Sequence, residues 1–438
     1  MADEDEEGLE DTGKEETGGK KKEKGSAITT AAAIIQKRFG RSIAPSGDYY
    51  KKAIQVISTG SILLNNAIGK IKGIPVAAVV EVFGWEGAGK TLLLYLAIAE
   101  AQRTMPDRPC VLIDAERQFK FQAEWAAKVG VDVAKLIVIP VSTAEEAFDI
   151  IHALVLGEHE YDKKTNEVIR VINPGKYAII GIDSVTQLVS SVDATKGMGD
   201  SRQRGSQASA IGLGLKKVTS AMARSDVDSS TILYFINQLR KNPNKRFGNP
   251  EYRTGGNALP FYDTLAFKVA KKWKSEVRDE NGVIISHDVV VTFEKNKAGS
   301  MPEDAIVFTL RHDGSGVDNK QELFDVAFMN GIVKEYVIDD KTRYNFVVPE
   351  TGKTLDENIK NFSRRKFDTI LDENPKIKEK IMALIEDRKI FVKKDSVKED
   401  VPDSAISEDD ESETVTDDND SKGDEPRKSG KLGKLRIR

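Results

Sequence analysis

The chain has 438 residues, 39% hydrophobic and 31% charged, with a net charge of −4, a balance that suits a soluble globular protein with one large domain and satellites. No run approaches about eighteen consecutive apolar residues, so no transmembrane helix and no membrane partner is expected, and the acidic start MADEDEEGLE lacks the apolar core of a secretory signal. One cysteine, Cys110, supports no disulfide framework and fits a reducing cytoplasm, and His152, His159, His287 and His312 lack metal-ligand spacing.

The charge is unevenly placed. Residues 1–26 run from an acidic block into GGKKKEKG, residues 396–425 are rich in Asp, Glu and Ser, and the stretch from Arg427 to Arg438 is basic. Like-charge runs cannot bury apolar area, so residues 1–26 and 394–438 are expected to be disordered tails. The middle of the chain is then near neutral or slightly basic, which leaves a nucleic-acid partner open.

In chain order, SAITTAAAIIQKRF reads as a helix capped by Ser26 or Thr29, and a linker with one short strand follows, filling 27–54. Residues 55–318 alternate apolar, β-branched runs (VAAVVEVFG, PCVLIDAE, KLIVIPV, YAIIGIDSV, STILYFINQL, TLAFKVAKKW) with helical segments. Buried parallel strands joined by right-handed helical crossovers read this way. HDVVVTFEKN and AIVFTLRHDG look like an antiparallel addition. From 319 to 393 the pattern is mainly helical and suggests a small C-terminal domain.

Gly84, Trp85, Glu86, Gly87, Ala88, Gly89, Lys90 and Thr91 fit G-x-x-x-x-G-K-[ST] in full, between an apolar strand and a helix. Glycines let backbone N–H groups wrap a phosphate chain, and the helix N-terminus adds positive potential. Lys90 is then placed for the β- and γ-phosphates and Thr91 for Mg²⁺. Asp183 closes the strand YAIIGID and can hold Mg²⁺ through water. Glu116 follows VLIDA, where a carboxylate can activate water or simply cap a helix. A guanine reader N-K-x-D is not matched, since Asn296-Lys297-Ala298-Gly299 lacks the Asp; ATP is expected over GTP.

Two glycine- and basic-rich stretches follow strand ends. The first holds Lys196, Arg202 and Arg204, with Lys216 beyond it; the second holds Arg240, Lys241, Lys245, Arg246 and Phe247 and leads to Gly255, Gly256 and Asn257. Both are too polar for a core, and suit either solvated basic loops or loops that grip phosphates.

ISTGSILLNNAIG, EVFGWEGAGKT, LIDAE, IDSV, FINQLR, FGNPE, TGGNAL and EKNKAG occur in the order found in RecA recombinases. The resemblance spans about residues 30–315, and QELFDVAFMNGIVKE resembles the start of that family's C-terminal domain. It implies an α/β fold: a RecA-type phosphate-loop ATPase core with a mostly parallel central sheet, an N-terminal helical polymerisation arm and a small α/β C-terminal domain. It implies a DNA-dependent ATPase using ATP and Mg²⁺. Such a protein forms a helical homo-filament on single-stranded DNA, pairs it with double-stranded DNA, and exchanges strands in DNA repair and the SOS response to DNA damage. By resemblance, Glu116 is the general base, Gln238 senses the γ-phosphate, and Lys295 and Lys297 reach the neighbouring subunit's ATP. Trp125 stands where the family stacks a tyrosine on adenine, and the two basic stretches match its DNA loops. Departures are Ser209 for a usual arginine, Pro243 near an apolar wedge, and Pro260 for a usual lysine. The charged additions suit a phage-encoded member acting in a host cytoplasm. A hexameric helicase or other ring-forming motor of the same fold shares the phosphate loop, and a mediator without turnover is argued against by the intact Lys90, Thr91, Glu116 and Asp183.

Overall fold

The computed structural model describes residues 33–34, 37–38, 54–161, 168–172, 176–197, 205–223, 230–242, 250–299, 305–386 and 398–399. The expected tails apart from Lys398 and Glu399, most of the expected N-terminal arm, and Arg202, Arg204, Pro243, Lys245, Arg246 and Phe247 lie outside the described residues. Residues 33–34 and 37–38 are helical, with Ile34 exposed.

The strands Val79–Gly84, Cys110–Asp114 and Ile179–Asp183 are buried at every position, as central strands of a two-faced sheet must be. The main sheet runs in the order Gly316–Val317, Ile306–Arg311, Ile284–Asn296, Leu265–Lys271, Val79–Gly84, Ile232–Lys241, Ile179–Asp183, Cys110–Asp114, Leu136–Pro140. From Leu265–Lys271 to Leu136–Pro140 all pairings are parallel. Ile284–Asn296 and Ile306–Arg311 add on antiparallel, as expected from their sequence. Helices cover both faces: Lys90–Thr104 and Phe119–Val129 bury into one apolar cluster, Ala144–Leu156 and Ser206–Met222 into the other. Register sets Gly84 beside Gln238 and Asp114 beside Asp183, so the carboxyl ends of four strands meet at one edge. That is where open α/β sheets bind ligands.

Beyond residue 318 the segment pattern reads as mainly helical, and the structure adds strands to the helices, in keeping with the α/β C-terminal part that the resemblance implies. Between the helices Asn319–Met329 and Arg364–Glu373 lies an antiparallel hairpin, Val333–Ile338 with Lys341–Phe346. Its two-residue turn puts Asp339 and Asp340 at φ 50 and 56, the left-handed conformation that two-residue hairpin turns require. Phe346 stacks on Phe362 at 4.6 Å and Phe324 meets Phe367 edge-on at 5.0 Å, which closes a small aromatic core. A second hairpin, Glu158–Tyr161 with Val168–Ile172, also went unread in the sequence. No helix among the described residues is long and apolar enough to cross a membrane.

The helix Asn319–Met329 is tied to the core through a buried carboxyl. Glu322 accepts from Ser61 Oγ at 2.9 Å and from the Ile62 and Leu63 N–H groups at 3.0 and 3.3 Å, at the start of helix Ile62–Ile68. Burial outweighs these donors and pushes its carboxyl up to about 7, from an ordinary 4.5. A folded-state value above the unfolded one favours the folded protein while the group is protonated, and that advantage is lost as pH rises toward 7. Glu322→Gln is expected to remove about 3 kcal/mol of pH-dependent stability between pH 4.5 and 7, seen by urea unfolding across that range. An unchanged pH slope rules this out.

Candidate nucleotide and nucleic-acid site

The phosphate loop follows Val79–Gly84 and opens helix Lys90–Thr104. Glycine is required on packing grounds at its two ends. A Cβ on Gly84 would stand 1.9 Å from the Val269 carbonyl oxygen; one on Gly89 would stand 2.3 Å from Leu310 Cδ1, at φ +93. Glu86, Gly87, Gly89, Lys90 and Thr91 line a cavity of about 440 Å³ together with Glu116, Trp125, Asp183 and Gln238. The structure thus gathers residues from five separate sequence blocks. Gly84, Trp85 and Ala88 shape the loop from behind: Trp85 packs with Phe83, Leu239 and Ala266, and its carbonyl accepts from Lys90 Nζ at 2.7 Å.

Lys90 is 7% exposed. Burial lowers its ammonium to about 8, against the attraction of Asp183, Glu116 and Glu86. Burial likewise raises Asp183 to about 7, opposed by the Thr91 hydroxyl, which donates to Asp183 Oδ2 at 2.8 Å. A hydroxyl and a carboxylate held together offer hard oxygen ligands, which suits Mg²⁺ beside a nucleotide. An open cradle of backbone and one enclosed ammonium suits the phosphates. Glu116 is oriented by Ser184 Oγ, which donates to its Oε1 at 2.7 Å, and by its own N–H on the Asp183 carbonyl at 3.2 Å. In the sheet, its strand is separated from the phosphate-loop strand by Ile179–Asp183 and Ile232–Lys241. Trp125 is half-buried, edge-on to Tyr95 at 5.7 Å, on the helix that closes the far end of the cavity.

The strand Ile232–Lys241 leaves this cavity and enters a second one. Gln238 lines the first; Leu239 and Arg240 line a neighbouring cavity of about 820 Å³ with Gly205, Arg253, Gly255, Gly256, Asn257 and Lys268. Gly205 begins helix Ser206–Met222, the exit of the first basic stretch, while Gly255 and Gly256 form the exit of the second. The two exits pack together, since a Cβ on Gly256 would stand 2.7 Å from Ala208 Cβ. Between the cavities runs a hydrogen-bonded chain. The Gln238 N–H donates to Thr186 Oγ1 at 3.2 Å, Thr186 and Thr254 hydroxyls meet at 2.7 Å, and Asn237 Nδ2 donates to Glu81 Oε1 at 2.8 Å and to the Thr254 carbonyl at 3.0 Å. Lys196 stands at the entry of the first stretch and Lys241 at the entry of the second; neither lines the second cavity. Lys216 is exposed on helix Ser206–Met222 and does not line it either.

Sequence reasoning missed Arg253. Its guanidinium donates to Glu81 at 2.5 Å and to Glu294 at 2.8 Å, and lies 3.6 Å over the Phe83 ring. Buried Asp263 lies 4.0 Å away, its carboxyl pushed well up by burial and by Glu81. A cation two residues before the GG turn was the available signal. Lys295 donates to the Pro260 and Phe261 carbonyls at 2.6 and 3.1 Å, and Lys297 is exposed; neither lines the nucleotide cavity of its own chain. His287 and His312, which carry no metal-ligand spacing, do line it.

The sequence model of a family described as the RecA N-terminal domain matches residues 26–314. The chain is 35% identical over 313 residues to Protein RecA of Mesoplasma florum, covering 71% of this chain and 84% of the relative. It is 34% identical over 313 residues to Protein RecA of Bordetella petrii, covering 71% and 79%. With Protein RecA of Acinetobacter baylyi the identity is 31% over 366 residues, covering 83% and 92%. A phosphate-loop cavity at the carboxyl edge of a mostly parallel sheet, and a match over this length, make the chain a member of the RecA family.

Proposed function

We propose that this chain is an ATP-dependent homologous recombinase that forms a helical filament on single-stranded DNA, pairs it with duplex DNA and exchanges strands in DNA repair. One observation carries the reading most: a single strand bears Gln238 in the nucleotide cavity and Arg240 in the cavity at the roots of both basic stretches. A nucleotide can therefore bias the loops through one strand, on which the two residues stand only two positions apart. Lys90 and the loop amides would bind the phosphates, with Thr91 and Asp183 holding Mg²⁺, which supplies charge neutralisation between phosphate oxygens. Glu116 would take a proton from the attacking water. Lys295 and Lys297 would complete the site of the adjacent copy, and Trp125 would flank the base. Lys196, Arg202, Arg204, Lys216, Arg240, Lys241, Lys245, Arg246, Phe247, Gly255, Gly256 and Asn257 remain the proposed DNA contacts. The polymerisation arm at 27–54, the core at 55–318 and the C-terminal domain at 319–393 form the proposed division of the chain.

Electron microscopy with single-stranded DNA and a non-hydrolysable ATP analogue tests this. Nucleotide-dependent helical filaments are expected. Closed six-membered rings would support the helicase reading, which shares the phosphate loop but is not favoured by the match across residues 26–314. Dispersed protein that ignores DNA would sink both.

The acidic tail at 396–425 is proposed to compete with DNA for the basic stretches. Its root is anchored beside the DNA-loop cavity: Glu399 pairs with Lys268 at 2.7 Å, and the Trp273 N–H donates to the Lys398 carbonyl at 2.9 Å. Deleting residues 396–438 is expected to strengthen single-stranded DNA binding severalfold, most at low salt. The deletion also removes the basic end, so a charge-reversed tail is the control, and unchanged or weaker binding refutes the competition.

A further inference from the structure

Across the sheet from the phosphate loop, two histidines form a hydrogen-bonded pair. His287 lies in strand Ile284–Asn296 and is 4% exposed; His312 follows strand Ile306–Arg311 and is exposed. His287 Nδ1 and His312 Nε2 stand 2.7 Å apart, with the rings edge-on at 70°. The His312 N–H donates to the Ile285 carbonyl at 2.8 Å, which fixes the backbone under the ring. The segment carrying His312 bridges the two ends of the nucleotide cavity. Leu310 packs against Gly89 of the phosphate loop, and Gly314 packs so closely on the helix of Trp125 that a Cβ there would stand 2.4 Å from Lys128 Cβ. Both histidines line the cavity with Phe121, Gln122 and Trp125.

The pair is neutral around pH 7. Burial pushes His287 down to about 4, with His312 and Lys271 pushing the same way and Asp288 and Glu276 opposing. Burial lowers His312 as well, with Lys271 adding to it and Glu276 and Asp313 opposing. Two neutral imidazoles at hydrogen-bond distance share one N–H. If His312 donated it, the single ring proton of neutral His287 would sit on Nε2, which is buried without a partner among the described residues. A buried N–H without an acceptor is the rarer fault, so Nδ1 of His287 is the donor. The remaining N–H of His312 is then at Nδ1, with no bond to any of the described residues.

We propose that His312 donates this ring N–H to the nucleoside half of the bound nucleotide, and that His287 is the positioning residue that fixes its tautomer and orientation. The inference rests on the nucleotide reading of the cavity. It deepens that reading by assigning a recognition group from outside the phosphate-loop, catalytic and adenine-stacking residues.

Calorimetric titration of the full chain with Mg-ATP and with inorganic tripolyphosphate separates the two halves of the ligand. His312→Phe keeps a flat ring and removes the donor. It is expected to weaken ATP about 5- to 10-fold, the span of one hydrogen bond, and to leave tripolyphosphate within twofold. His312→Gln, which keeps an N–H, should recover part of the loss. His287→Phe should weaken ATP alone, and should add little on top of His312→Phe, because the two act as one unit. Lys90→Ala should weaken both ligands. If His312→Phe leaves ATP binding unchanged, or weakens ATP and tripolyphosphate equally, or His312→Gln behaves like His312→Phe, the assignment is wrong. A wild-type chain that binds neither ligand overturns the nucleotide reading itself.

Discussion

Lys90→Ala is expected to abolish ATP hydrolysis and strand exchange, with turnover falling by at least about 10²–10³-fold, the usual cost of losing one preorganised electrostatic contact to a developing charge. The loss should be larger here than for an exposed lysine. The ammonium is enclosed, it bonds the Trp85 carbonyl at 2.7 Å, and it faces Asp183 and Glu116. Removing it leaves Asp183, Glu116 and the polyphosphate without the enclosed ammonium that offsets part of their charge. Lys90→Arg keeps the charge but not the compact geometry and should rescue binding far better than turnover. The pH profile provides a second readout. In the free protein burial holds Lys90 near 8, so the cation that attracts phosphate is progressively lost above that value. Nucleotide affinity in the wild type should therefore fall as pH rises from 8 toward 10, while the alanine variant shows no such fall. Retained turnover in Lys90→Ala would end the phosphate-loop assignment.

What could be read beforehand and what could not follows a physical pattern. The phosphate loop, Asp183 and the parallel strands are local: glycine placement, a strand-end carboxylate and unbroken apolar runs each reflect a demand within a few residues. Arg253, Asp263 and the His287–His312 pair are not local. Their meaning comes from strands that pair across the sheet, Arg253 reaching Glu81 and Glu294, His287 facing Leu310 in register. A histidine pair has no spacing signature when its members arrive from two different strands. The hairpin Val333–Phe346 is hard to read from the sequence because its exposed strands carry polar residues and its turn is Asp-Asp, which lacks the glycine that usually marks a two-residue hairpin. The roles proposed for Trp125, Gln238 and the two lysines come from resemblance; Trp125 and Gln238 line the nucleotide cavity within one chain, and the lysines do not.

Those lysines give the other large expected effect. Lys295→Ala combined with Lys297→Ala should lower DNA-dependent turnover by roughly 10³-fold or more, if each cation serves as a trans-acting finger. The single-chain geometry is consistent with a site completed from outside. Lys295 is held by two main-chain carbonyls and its ammonium is depressed by burial and by the adjacent Lys297, so the pair is a repulsive arrangement that an arriving anion would relieve. A mixing experiment separates action across an interface from action within a chain. The double variant keeps Lys90 but lacks the fingers; Lys90→Ala lacks the phosphate lysine but keeps the fingers. In a randomly mixed one-to-one filament with head-to-tail contacts, about a quarter of the junctions join an intact phosphate loop to intact lysines. Turnover should then rise to about a quarter of wild type, although each variant alone is nearly inactive. No recovery on mixing would place the lysines in their own chain's chemistry or its folding, and a near wild-type rate for the double variant alone would place them on an outer surface with no part in turnover.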